Sequence, residues 1–551
     1  MDRRAFLTAS KAKRKLSTPQ LFRTLSGINE YAGAWDTEAI IHLLKRTMFG
    51  AKKSDVAFFS GMTMSQAVDY LLTVTPTQAA PLPPVKTYNE AIDPEIPTGQ
   101  TWIYTTQTDS NAQRRNSLKN WWIGQMVNQE RNILEKLTLM WHNHFVIEMD
   151  AVGSAIFCYQ NNAILRKNAL GNFKQFVKEI TIDTGMLKYL NNYLNINTAP
   201  DENYARELQE LFTVGKGADN ATAPYNEEDV KQAAKVLTGW GVDSNINVSL
   251  FRANRHDSTN KQFSSFYNNT VITGRTQEDG ALELDDLLTM IFSKEEVSLH
   301  ICRKIYRWFV YYEIDATTEQ NVIAPLAQIF RNSSNEIKPV LTALLKSEHF
   351  FDAVNKGCMI KNPIDIVVSL CREFSVAFPV ATDYVANYNM WEKLQVNCNN
   401  MQQELGQAPN VAGWPAYYQA PQYQQIWINA DTLPKRNIFS DTMIATGFSK
   451  NGAAIKIDTT LFAASMPVPS NPNKLVEDSL TYLLRIPLSQ ESRDKIKTDI
   501  LLDGQANDNY WTTAWNTFVA IPTDMANANI VKTKLKNLYQ YIMRLPEYQL
   551  S

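Results

Sequence analysis

Histidine is scarce in this chain, with six residues in 551. So few imidazoles leave few side chains able to hold a transition metal or move a proton near neutral pH. Cysteine is no richer. Cys158, Cys302, Cys358, Cys371 and Cys398 are dispersed, odd in number and without a C-x-x-C pair, so they read as free thiols rather than a disulfide framework or a zinc site. No apolar run approaches the roughly 20 residues that span a bilayer, and no transmembrane segment is expected. Neither sign of charge dominates, since 54 basic and 56 acidic residues nearly cancel. That balance argues against a general nucleic-acid binder and leaves room only for a local patch. G-x-S-x-G, a Walker loop, a dinucleotide fingerprint and H-E-x-x-H are all missing, so serine hydrolase, nucleotide-binding and zincin chemistries have no local support.

What is present is ordinary globular composition, 44% hydrophobic and 20% charged. Apolar residues recur at helical spacing almost throughout. The expected fold is mainly α: a large multi-helical globular protein with long irregular loops and at most minor β-hairpins. Thr37 is a plausible cap for a first helix that stops at Gly50. Helices are expected over 111–126, 131–146 and 172–189. Another starts at Asp201 and ends before Gly215, and a capping-box variant starts at Asn226-Glu227-Glu228-Asp229. A small hairpin is expected around Val248-Ser249-Leu250-Phe251. Residues 76–99 and 401–434 read as long loops, the second rich in Gln, Pro, Trp and Tyr. Helix resumes after Ser440. The expected division is a basic leader over 1–36, a main domain over 37–440 and a C-terminal helical part over 441–551, or one continuous domain from 37 onward.

Three polar clusters stand out. Trp141-His142-Asn143-His144-Phe145 holds two of the histidines. On a helix, residues two apart point about 200° apart, so one imidazole faces a cavity while the other faces packing or solvent. Asn203-Tyr204-Ala205-Arg206-Glu207-Leu208-Gln209-Glu210-Leu211-Phe212 puts Glu207 and Glu210 three apart on one face, with Arg206 able to pair with Glu210. Two such carboxylates can bind a cation or share acid–base work, or they can be a solvated charged face. His256-Asp257, with Lys261 behind, can be a ligand pair or a turn capped by its own aspartate. The stretch Asn410-Val411-Ala412-Gly413-Trp414-Pro415 suits stacking of a sugar or peptide, or a loop that seals its own core.

With His42-Leu43-Leu44-Lys45-Arg46-Thr47-Met48-Phe49-Gly50, Leu237-Thr238-Gly239-Trp240 and Leu545-Pro546-Glu547-Tyr548, these segments resemble, in order, the motifs of the bacterial family catalogued as domain of unknown function 1800. The resemblance runs from about Thr37 to Leu550. It implies a large helical protein, often exported (periplasmic or extracellular), with genes often beside a family similar to sulfatases and alkaline phosphatases, which makes such a protein a candidate partner. It implies no reaction. Arg3-Arg4 looks like the start of a twin-arginine signal, but the apolar region that should follow is missing.

The leading expectation is one polar pocket holding a divalent metal such as zinc, iron or manganese. His142, His144, Glu207, His256 and Asp257 are the candidate ligands, and Glu207, Glu210, His144 and Arg206 the candidate catalytic groups. Metal-assisted hydrolysis is the simplest chemistry for that set. The competing expectation is a non-catalytic binding or assembly partner of an exported complex, in which the polar clusters are buried networks and the aromatic loops form the contact surface.

Overall fold

Helical periodicity governs the computed structural model, which describes residues 25–105, 110–216 and 223–551. The Arg3-Arg4 pair lies outside those residues. Helix α1 (Thr37–Thr47) is capped by Asp36, whose carboxylate accepts from the Ala39 amide, and not by Thr37. Both residue types cap well, and here the carboxylate also meets the positive end of the helix dipole. Helices α2 (Asn111–Val127), α3 (Leu134–His144) and α4 (Ala155–Lys167) pack on one another. Every residue of α3 is buried. A helix buried all round must satisfy its polar side chains inside the protein. Glu135 accordingly pairs with Arg166 of α4, and Lys136 with Asp365.

The helix expected over 172–189 divides at Asp183 into α5 (Phe173–Thr181) and α6 (Thr184–Tyr189). The Asp183 carboxylate accepts from the Met186 amide at 2.9 Å and starts the second piece. Helix α7 (Asn203–Glu207) runs directly into a π-helical turn, Leu208–Phe212. Helix α8 (Glu227–Val236) opens with the expected capping box between Asn226 and Asp229. Antiparallel strands β1 (Trp240–Asp243) and β2 (Val248–Phe251) pair Trp240 with Phe251, and β3 (Lys261–Gln262) pairs with β4 (Val271–Ile272).

Helices α9 (Glu283–Phe292), α10 (Glu295–Phe309), α11 (Pro363–Glu373) and α12 (Tyr384–Asn400) follow. Residues 401–431 are irregular apart from two short 3-10 turns, Pro415–Tyr417 and Tyr423–Trp427. Helix α13 (Thr432–Ala445) then leads into a hairpin, β5 (Phe448–Lys450) and β6 (Ala453–Ile455), where helix was expected. Its two linking residues are Asn451 and Gly452, both at positive φ, the conformation this dipeptide adopts in tight hairpins. Helix α14 (Met525–Arg544) is the longest described.

The protein is mainly α. Its sheets, among the described residues, are three two-stranded hairpins, and no helix there is long and apolar enough to cross a membrane. One hydrophobic core cluster draws side chains from 37–440 and from 441–551 alike.

Candidate functional site

The buried α3 points its two histidines apart, as the spacing requires. His142 lies between Trp122 and Trp414, with ring centroids at 5.3 and 5.8 Å. Burial alone lowers its pKa to about 4, so it is a neutral packing residue. His144 faces the other way, with Nε2 3.2 Å from the Phe212 carbonyl oxygen and Nδ1 without a partner. Burial, then Lys304, holds His144 well below its ordinary pKa.

Between them, Asn143 takes hold of the late aromatic loop. The Trp414 amide donates to its Oδ1 at 2.8 Å. Gly413 sits directly against Asn143 at φ +94°, and a Cβ there would overlap the Asn143 side chain and carbonyl. Only glycine meets both demands. Two motifs far apart in the chain are thus one joint.

That joint closes one side of a cavity of about 320 Å³. Met140, Asn143 and His144 of α3 line it, with Glu210 and Leu211 of the π-turn and Tyr417, Tyr418 and Tyr423 of the aromatic loop. The remaining wall is α10, which contributes His300, Arg303, Lys304, Arg307 and Trp308. The four basic positions 300, 303, 304 and 307 follow helical spacing and form one face.

Their partners differ in a way that matters. Arg303 makes a bidentate pair with Glu319, at 2.5 and 3.0 Å. Arg307 Nε donates to the Tyr312 carbonyl at 3.2 Å, and its guanidinium lies 5.8 Å from the Tyr423 ring centroid. Lys304 has no hydrogen-bond or ion-pair partner among the described residues. Burial, reinforced by Arg307, lowers its amine to about 8. His300 Nε2 donates to the Leu211 carbonyl, 3.0 Å away, and burial lowers its pKa to about 3. Trp308 stacks on Tyr417 at 4.4 Å and forms the floor.

The π-turn sets the carboxylates. The Gly215 amide donates to the Gln209 carbonyl at 2.9 Å, and Thr213 Oγ1 donates to the Leu208 carbonyl at 2.5 Å, closing the widened turn. Turns of this kind concentrate at functional sites. Glu210 lines the cavity and pairs with Lys216. Glu207 is half-buried, and burial, then Glu210, raises it to about 7. Arg206 does not pair with Glu210. It is held by Glu227 at 2.6 Å and Glu202 at 3.2 Å, tying α7 to the start of α8.

His256, Asp257 and Lys261 form a separate buried clamp. His256 Nδ1 meets the Thr238 carbonyl at 3.0 Å, and its Nε2 lies 3.1 Å from Glu283. Lys261 Nζ donates to the other Glu283 oxygen at 2.6 Å. Asp257 caps its own turn, accepting from the Thr259 amide at 2.8 Å. Glu283, fully buried at the start of α9, is the hub the motif reading missed.

The expected single pocket therefore divides. His144 and Glu210 line the cavity; His142, Arg206, Glu207, His256 and Asp257 do not. Among the described residues no three His, Cys, Asp or Glu side chains are placed to hold a metal ion, and the cations of α10 oppose a divalent cation at the cavity. The residues that dominate it, Lys304, Arg303 and Arg307, went unnoticed in a chain of balanced charge. Their signal is the basic i, i+3, i+4, i+7 pattern from His300 to Arg307.

No curated protein and no solved structure matches the sequence. The family described as protein of unknown function DUF1800 matches residues 42–550, and the chain belongs to that family.

Proposed function

We propose that the cavity between α3, the π-turn and α10 binds a small organic anion. Its charged group would sit against Lys304 and Arg307, and its body against the tyrosines of the aromatic loop. The observation that carries this reading is the Lys304 amine: a half-buried cation on the cavity wall that no carboxylate answers. Buried charges are ordinarily paired, and a ligand anion would complete the pair. Arg307 adds a planar donor fork suited to phosphate, sulfate or carboxylate.

The adjoining carboxylates extend the reading to hydrolysis. Glu210 is at the cavity wall. Glu207, coupled to it and titrating near neutrality, is suited to give or take a proton at physiological pH. Hydrolysis of an anionic ester would use the cations to hold charge developing on the substrate and the Glu207–Glu210 pair to move the proton. His144 and His300, neutral at pH 7, would orient rather than carry charge.

Isothermal titration of the full chain with phenyl phosphate tests binding. Saturable binding, weakened at least tenfold in Lys304→Met and absent for benzyl alcohol, supports the proposal. Equal affinity of wild type and Lys304→Met for phenyl phosphate, phenyl sulfate and benzoate ends it. Product release from the bound ester, lost in Glu207→Gln while binding persists, separates hydrolysis from binding alone.

A further inference from the structure

A second cavity, of about 500 Å³, lies between α2 and α12 and shares no lining residue with the anion site. Gln113, Asn116 and Asn120 line it from α2, at i, i+3 and i+7. Tyr388, Asn389, Glu392 and Gln395 line it from α12, at i, i+1, i+4 and i+7. Each helix thus gives one face to the cavity. The two helices pack on each other, and a Cβ on Gly124 of α2 would overlap the Trp391 ring of α12. The remaining wall comes from residues 87–89 and from Lys450 and Asn451 in the β5–β6 hairpin.

Small-molecule pockets are mostly apolar with a few polar groups, and this one is the reverse. Seven of its fourteen lining residues are Asn or Gln. Its only charged lining residues, Glu392 and Lys450, pair with each other at 2.6 Å and cancel. Asn389 and Gln395 are 8% and 9% exposed, and neither side chain makes a hydrogen bond to the described protein. Nor is either amide among the enclosed, unpartnered polar atoms, so both stay accessible from the cavity they line. Buried amides are ordinarily hydrogen-bonded. These two, with Gln113, Asn116 and Asn120 equally without a protein partner, leave their donors and acceptors to whatever fills the cavity. The tyrosine hydroxyls, by contrast, are engaged. Tyr88 donates to Asp93 at 2.7 Å, and Tyr388 accepts from the Val85 amide at 3.0 Å, which fixes both rings.

We infer that this cavity is a second ligand site, taking an uncharged hexopyranose. Such a sugar carries hydroxyls around its edge, each one donor and two acceptors. It has no charge, and its apolar surface is confined to its C–H faces. A side-chain amide offers two N–H donors and a carbonyl acceptor, so one Asn or Gln meets two neighbouring hydroxyls. Asn389 and Gln395 hold the sugar edge from α12, Asn116 and Asn120 hold it from α2, and the half-buried Tyr88 offers its ring to a C–H face. An anion finds no unpaired cation in this lining, and a mainly apolar ligand would strand the amides. The site is independent of the anion site, and phosphate does not compete for it.

Ligand-observed saturation-transfer NMR on the full chain tests this with the methyl glycosides of glucose, galactose and mannose. At least one is expected to bind saturably, with an affinity that added salt leaves unchanged. It should bind about tenfold tighter than methoxycyclohexane, which lacks the hydroxyls. Asn389→Leu and Gln395→Met keep side-chain size and remove the amide, and each is expected to weaken sugar binding about tenfold while circular dichroism shows the variant folded. Asn120→Leu, at a half-buried position of α2, carries the same expectation without burdening the core. Absence of saturable binding by all three glycosides overturns the inference. So does equal affinity for methoxycyclohexane, so does glucuronate binding about tenfold tighter than the glucoside, and so does wild-type affinity in the folded variants.

Discussion

Replacing Lys304 by methionine should make the protein more stable, because the wild type holds a half-buried amine that no carboxylate answers. Burial and Arg307 bring its pKa from 10.5 to about 8. At about 1.36 kcal/mol per pH unit, that drop corresponds to roughly 3 kcal/mol of destabilisation in the protonated state. The figure is an upper one, since the amine faces an open cavity, and about 2 kcal/mol is the working expectation. The sign follows from proton binding. Between pH 8 and 10.5 the unfolded chain holds this proton and the folded chain releases it, so wild-type stability rises with pH across that window. Lys304→Met should therefore melt higher than wild type at pH 7, and the gap should close as pH climbs from 8 to above 10. Saturating phenyl phosphate at pH 7 should narrow the same gap by stabilising only the wild type. Melts of both proteins at pH 7, 9 and 10.5, with and without the anion, check this. A variant less stable at pH 7, or a gap of constant size across the pH range, would refute the reasoning.

Glu207→Gln carries the opposite pH sign. The folded wild type retains a proton between pH 4.5 and about 7, so its stability falls through that window. The glutamine variant should gain on the order of 1 kcal/mol above pH 7, after solvent screening, and nothing below pH 4.5; parallel melts at pH 4 and 8 measure it. Lys261→Met leaves the buried Glu283 carboxylate with His256 and the Arg275 amide but without its lysine partner and should cost about 3–5 kcal/mol, while calorimetric anion affinity in the surviving folded protein stays unchanged. Gly413→Ala combines a positive φ with an overlap against Asn143 and should cost about 1–3 kcal/mol. It should also weaken phenyl phosphate binding, because the loop carrying Tyr417, Tyr418 and Tyr423 loses its anchor; a melt and a titration on the same sample report both.

The helical class and the Asn226 capping box were legible because they depend on local periodicity and capping chemistry. The hairpin at Asn451-Gly452 carried its signal openly, in a dipeptide that apolar spacing does not weigh. The opposed faces of His142 and His144 followed from helix geometry alone. Their surroundings did not: Trp414, Phe212 and Lys304 arrive from distant segments. Nor does a string of residues distinguish a polar cluster that meets a cavity from one that meets a buried glutamate. His256 and Lys261 close on Glu283, and only the fold brings that carboxylate to them. Overall neutrality of charge concealed the basic face of α10, which is a property of one helix surface and not of the sum.

The π-turn at Leu208–Phe212 has a consequence for how this segment can change. Such a turn contains about one residue more than an α-helical turn of the same rise. Deleting a single residue within it would let the segment relax into continuous α-helix, with better hydrogen-bond geometry and a more regular path. If the residue lost were Leu208 or Gln209, Glu210 would stand two positions after Glu207, about 200° away around an α-helix, so the two carboxylates would lose their register and Glu210 its place at the cavity wall. Local regularity and the position of the carboxylates thus pull in opposite directions within five residues. A shortened variant that melts higher yet binds no anion would be the molecular record of that conflict.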